Sequence, residues 1–152
     1  MTSIIRRGVP ADAEAMMTLL REMHQENGLA PLDEAKVRST LMRGLTGDGA
    51  IVGIIRSDGI IAASVGLFIS RWWYSETSHV EDLWSFVSEG HRKSEYAKNL
   101  LVWSKHAAES LGQPLLMGVL SSERTQAKIK LYQRQLGAPV GALFSVAAPP
   151  AA

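Results

Sequence analysis

The sequence predicts an α/β domain: a central mixed, mostly antiparallel sheet flanked by four helices in the order β-α-α-β-β-β-α-β-α-β. Three observations carry that reading. Residues 51–56 and 60–70 are apolar, β-prone runs around the tight-turn tripeptide Ser57-Asp58-Gly59, and residues 80–87 follow as a third such run, so consecutive strands pair antiparallel. Residues 80–120 read strand, helix, strand, which implies one parallel pair joined by a right-handed crossover. A chain of 152 residues, 46% hydrophobic and 20% charged, is large enough for one domain with a hydrophobic core and too apolar to stay disordered.

Taken in order, residues 3–7 alternate weakly and stop at Gly8–Pro10, giving a short first strand. Asp12 is placed to cap a helix over 13–26, whose Met16, Leu19, Leu20 and Met23 recur at helical spacing. Asn27 and Gly28 end it. Asp33 starts a second helix to about residue 45, with Val37, Leu41 and Leu45 inward. After the three central strands, 95–111 is a long amphipathic helix (Leu100, Leu101, Trp103, Ala107, Leu111) closed by Gly112 and Pro114. Residues 115–120 are wholly apolar and read as a strand. Ser122 or Glu123 opens a last helix to Leu136, and 140–146 is a final strand. The domain therefore spans 1–146, with 147–152 as a flexible tail.

Composition narrows the function. A net charge of +1 gives no broad basic field for nucleic acid. The absence of cysteine rules out disulfides, a thiol nucleophile and thiolate metal sites. Four histidines at no ligand spacing offer no metal site. No apolar run approaches about 20 residues and the start lacks a signal-peptide core, so the expectation is a cytoplasmic protein that does not enter a membrane.

The most informative stretch is His79 to Leu101, HVEDLWSFVSEGHRKSEYAKNLL. It reads as a buried strand, a turn and a helix start bearing Arg92, Lys93 and Ser94. Unpaired helix-terminal amides beside two cations suit a phosphate-bearing ligand. Within it, Arg92-Lys93-Ser94-Glu95-Tyr96-Ala97, followed by Leu100-Leu101, resembles the cofactor signature of the GNAT superfamily of acyl-CoA-dependent N-acyltransferases, and the element order is similar over nearly the whole chain. That signature runs Arg or Gln, two residues, Gly, one residue, Gly or Ala. Arg92 and Ala97 match, and Glu95 replaces the central glycine.

The resemblance implies that acetyl-CoA is the co-substrate. Backbone amides of 92–97 would hold its pyrophosphate, and Phe86, Val87 and Ser88 would meet the pantetheine arm, one amide serving as oxyanion donor. A splay between 80–87 and 115–120 would open the slot for that arm. Glu81, eleven positions before Arg92, stands where some family members carry a glutamate general base, although His79 and Asp82 have comparable claims. Strand alternation puts His79 and Glu81 on one face and Asp82 on the other. Tyr132, five residues before Gly137, matches a tyrosine that protonates the leaving thiolate, and Thr125 occupies roughly the place of a polar cofactor contact. The acceptor would be a small-molecule or peptide amine. The rival readings are a catalytically silent acyl-CoA-binding or assembly module and a small interaction domain without coenzyme A.

Two features lie outside this pattern. Trp72-Trp73-Tyr74 is an aromatic cluster suited to burial, to a dimer face or to an acceptor wall. The family's last helix is usually followed by two strands, whereas one remains here, which leaves a homodimer open. His24 reads as a surface or capping histidine.

Overall fold

A computed structural model describes residues 4–151 of the chain. In order the elements are β1 (Ile5–Arg7), α1 (Ala13–Asn27), α2 (Glu34–Thr46), β2 (Ala50–Ser57), β3 (Ile60–Arg71), β4 (Ser78–Val87), α3 (Tyr96–Ser110), β5 (Leu115–Leu116) and α4 (Thr125–Leu136). The strands form one sheet in the order β1-β2-β3-β4-β5, antiparallel except for β4 with β5. Ser3, at the start of the expected first strand, lies outside the described residues.

The hairpin between β2 and β3 is built as its turn residues require. Asp58 and Gly59 both take positive φ (53° and 79°), the primed-turn geometry whose twist matches paired strands. Asp33 caps α2 by accepting from Lys36 N at 3.0 Å.

The core has two layers, one on each face of the sheet. Met16, Met17, Leu19 and Leu20 of α1 and Leu41 and Leu45 of α2 pack on Val52, Ile54, Ile61, Trp84 and Phe86. On the other face, Leu100 and Ala108 of α3 meet Ile55, Ala63, Val65, Leu67 and Val80. Each such aliphatic side chain contributes about 1.5–3 kcal/mol by burial. The exposed ion pairs Arg21–Glu34 and Arg38–Glu14, which also tie α1 to α2, are worth about 1 kcal/mol or less. Packing of the apolar stripes therefore holds these helices, as their spacing predicts.

The structure departs from the sequence reading in four places. Asp12 stands at the N-cap of α1 but gives it no side-chain cap; its carboxylate is taken instead by Arg6, Arg56 and Val9 N. The strand expected over 115–120 pairs only at Leu115 and Leu116. The strand expected over 140–146 does not form, so among the described residues the sheet has five strands rather than six. Trp73 is not buried: it is 94% exposed, with Trp72 and Tyr74 stacked beside it. Among the described residues no helix is long and apolar enough to cross a membrane.

Candidate active site

The site begins with one extra residue in β4. Gly66 pairs with Trp84 and the next residue, Leu67, pairs with Asp82, so Leu83 is left over as a β-bulge. A bulge bends its strand and increases its twist. The parallel ladder accordingly stops after Val80–Leu115 and Glu81–Leu116. Beyond it β4 and residues 117–120 diverge, and the Asp82 carboxylate crosses the gap to accept from Gly118 N at 3.0 Å. The gap leads into a cavity of about 390 Å³. Its walls include residues 82–86 and 118–120, Lys128 and Tyr132 of α4, and Leu20, Met23, His24 and Val37 of α1 and α2. Helix α4 packs against α3 on one side of the sheet, whereas α1 and α2 cover the other. One cavity touching both layers has to pass through the sheet, and the divergence of β4 from β5 is what lets it.

The electrostatics concentrate at the same point. Burial pushes the Asp82 carboxyl up to about 6, against the pull of the Gly118 amide. Burial also pushes the Tyr132 phenol up to about 12; a hydrogen bond with Ser85 opposes that shift and the nearby Asp82 adds to it. Lys128 is pushed down by burial, with Glu26 opposing and Arg92 and Arg124 reinforcing. Trp84 forms part of the wall and is locked there: its Nε1 donates to the buried Ser64 Oγ at 3.0 Å. Its indole lies so close over Gly66 that a Cβ at that position would sit 2.7 Å from the ring. A side chain at position 66 would displace it.

No protein-family model and no curated protein matches the sequence. Solved structures match its chain path over nearly the full length. A GCN5-related N-acetyltransferase from Ralstonia eutropha JMP134 superposes with a TM-score of 0.72 at 18% identity, covering 95% of this chain and 98% of that one. A predicted acetyltransferase with acetyl-CoA from Clostridium acetobutylicum gives 0.75 at 10% identity, covering 94% of each chain. An aminoglycoside acetyltransferase, HMB0005, from an uncultured soil metagenomic sample gives 0.70 at 18% identity, covering 98% of this chain and 100% of that one. The fold is that of the GNAT acetyltransferases.

Within this GNAT fold the residues singled out from sequence separate into three groups. Phe86 and Tyr132 line the cavity. Glu81 does not: strand alternation puts it on the opposite face from Asp82, where its carboxylate lies 3.6 Å from His79 Nε2. Asp82, on the other face, is the carboxylate that lines the cavity, where sequence reasoning put Glu81 first. His24 likewise proves to be a wall residue, fixed by donation from Nε2 to the Ala30 carbonyl at 2.6 Å.

The third group surrounds the head of α3. Ser88 N donates to Ala62 O, so by antiparallel alternation the amide of Phe86 also turns toward β3. Of the three strand residues expected to meet the pantetheine arm, Val87 is therefore the one whose amide faces the gap, and Ser85 shares that orientation. Arg92 is not a free cation. Its Nη2 donates to Glu26 Oε2 at 2.5 Å, its Nε donates to Val87 O at 3.1 Å, and it lies over the Phe86 ring. The Ser88 hydroxyl donates to Glu22, so α1 holds the whole loop leading into α3. Ser94 donates to His91 O, and Tyr96 stacks on His91. Glu95 takes the N-cap position with its side chain turned to solvent, 3.8 Å from Lys98. The first i→i−4 bond of the helix is Asn99 N to Glu95 O; ahead of it Tyr96 N donates to Ser94 Oγ at 3.3 Å, which leaves the amides of Ala97 and Lys98. Thr125 donates to Ser121 O at the start of α4, outside the cavity wall.

Proposed function

We propose that the protein is an N-acetyltransferase that moves an acetyl group from acetyl-CoA to a primary amine by direct attack in a ternary complex. The observation that carries this is the cavity through the sheet: two reactants entering from opposite helix layers would meet beside Asp82. The donor set also suits coenzyme A. The Ala97 and Lys98 amides in the first turn of α3, together with Lys93, offer a diphosphate site, and Glu95 points away from it. Arg92 acts by positioning, bracing the loop through Glu26, rather than as a phosphate ligand.

Acetyl-CoA supplies an acetyl thioester when bound. The chain's own groups do the rest. Asp82, mostly ionised at neutral pH yet more basic than an ordinary carboxylate, takes a proton from the bound ammonium, directly or through water, and so frees the amine lone pair for attack. The Val87 or Ser85 amide donates to the oxygen that gains charge. Tyr132 stands by the departing sulfur. A phenol near 12 lies several units above an alkyl thiol at about 8.5, so full protonation of the thiolate by Tyr132 is uphill, and its contribution is a charge-assisted hydrogen bond. Tyr132→Phe is therefore expected to lower kcat by only about tenfold, without a new pH limb. A loss above about a thousandfold in stopped-flow turnover would restore the proton-donor role.

The cavity also bears on the acceptor. It offers the amine a single carboxylate, Asp82, among apolar walls, with Lys36 and Lys128 also lining it. An amine on an apolar body fits these walls; a polycation such as an aminoglycoside, which recruits several carboxylates, does not. A second reading, a silent acyl-CoA-binding module, is favoured by Glu95 in place of glycine and by the sequestration of Arg92. Thermal shift with acetyl-CoA and thiol release over a panel of aryl and alkyl amines separate the two. Acetyl-CoA should raise the melting temperature and release should depend on amine. Stabilisation without release selects the silent module, and no stabilisation at saturating acetyl-CoA overturns the coenzyme reading.

A further inference from the structure

One nucleophile inside the cavity has no part in the reaction drawn above. Lys128 lines the wall that α4 contributes and is half-buried there. It stands four residues before Tyr132, one turn away on the same helix face, so both side chains reach the cavity together. A lysine withdrawn from water is ordinarily paired with a carboxylate. Lys128 is not. Glu26, the carboxylate whose charge bears on it, is taken by Arg92, and among the described residues Lys128 forms no ion pair.

Its surroundings act against the ammonium form. Burial is the largest influence; Glu26 opposes it, and the cations of Arg92 and Arg124 add to it, so the nitrogen carries a free lone pair more often than an ordinary lysine does. Desolvation beside other cations is a general way to make a lysine nucleophilic. Lys36, the cavity's other lysine, comes from α2 in the opposite layer and is exposed. Only Lys128 stands on the helix face that carries Tyr132, where the sulfur departs.

We propose that Lys128 is itself an acetyl acceptor: with acetyl-CoA bound and no amine in the cavity, the protein acetylates its own α4. The acetyl thioester beside Tyr132 is that of the acyltransferase reading, on which this rests; no external amine is required. Lys128 Nζ, having lost one proton to water, attacks the thioester carbonyl carbon. The N–C bond forms and the C–S bond breaks, with the sulfur keeping the electron pair. A second proton leaves the nitrogen for water, and coenzyme A departs as its thiolate. Nothing is oxidised or reduced. The product is a neutral acetamide in the wall where an ammonium stood. It removes a positive charge beside Arg92 and Glu26 and puts an acyl group into the space an amine must cross. Modification therefore slows transfer to external amines, and a bound amine protects Lys128 by taking the acetyl group first.

Peptide mass spectrometry of the full chain incubated with acetyl-CoA alone is expected to show one acetyl group on Lys128, formed roughly 100-fold faster than on Lys36 or the exposed Lys130. The rate should not depend on protein concentration, as transfer within one chain requires, and a saturating amine substrate should suppress it. Chain pre-incubated with acetyl-CoA should then turn over that amine several-fold more slowly, and Lys128→Arg should escape this loss. A thermal-shift titration with acetyl-CoA, run alongside, separates the two ways of failing. Stabilisation with Lys128 unmodified, or modified no faster than Lys130, overturns self-acetylation and leaves the acyltransferase reading standing. No stabilisation and no modification overturns both. Acetylation of Lys128 in a chain that acetylates no added amine upholds self-acetylation and removes the external acceptor.

Discussion

Replacing Asp82 by Asn is expected to lower kcat/KM for amine acetylation by about 10²–10⁴-fold while making the protein more stable at neutral pH. Both effects come from one cause. The carboxylate is held ionised in a buried place, which raises its pKa to about 6 and makes it a better base than an exposed aspartate. The same burial opposes ionisation in the folded state. A rise of about two units corresponds to roughly 2–3 kcal/mol of stability lost once the group is charged. Asparagine keeps an oxygen that accepts from Gly118 N, so the strap across the gap survives the change. In the unsubstituted protein, kcat/KM should rise with pH through an apparent pKa near 6 and then level. In Asp82→Asn that limb should vanish. Glu81→Gln, outside the cavity, should alter neither rate nor profile. Retention of the pH 6 limb in Asp82→Asn, or its loss in Glu81→Gln, would return the role to Glu81.

Most of the fold was legible because it rests on local signals. The spacing of Met16, Leu19 and Leu20 defined the buried face of α1, and Asp58-Gly59 defined the hairpin, since each needs only neighbours in sequence. What was not legible depends on partners far along the chain. Arg92 reads as a phosphate cation until Glu26, 66 positions earlier, is brought against it. The bulge at Leu83 leaves no composition signal, yet it sits just beyond the point where β5 stops pairing with β4. Residues 140–146 have the pattern of a strand, but a strand also needs an edge, and the single chain brings none to them.

Asp12→Ala is expected to cost about 2–4 kcal/mol at pH 7, among the largest effects of any single change remote from the cavity. Asp12 is only 4% exposed, and its carboxylate ties β1, β2 and the entry of α1 together. Arg6 approaches in a two-pronged fork at 2.8 and 2.7 Å, Val9 N at 2.9 Å and Arg56 at 3.3 Å. The Arg6 hydrogen bonds, joined by those of Val9 and Arg56, hold the acid well below the usual carboxylate range against its desolvation. The sign is opposite to that of Asp82. A depressed pKa contributes stability that is present above about 4 and lost as pH falls through the folded value. A raised one contributes stability that is fully present below about 4 and lost as pH rises through about 6. Urea unfolding across pH therefore separates them by difference. The gap between the unsubstituted protein and Asp12→Ala should be widest at neutral pH and shrink below about 4, whereas Asp82→Asn should gain its advantage between about 4 and 6 and hold it above. A gap for Asp12→Ala that is as wide in acid as at neutrality would mean that Asp12 acts through its shape rather than its charge. Because α1 carries Leu20, Met23 and His24 into the cavity wall, loosening its entry should also raise KM for the amine more than it lowers kcat.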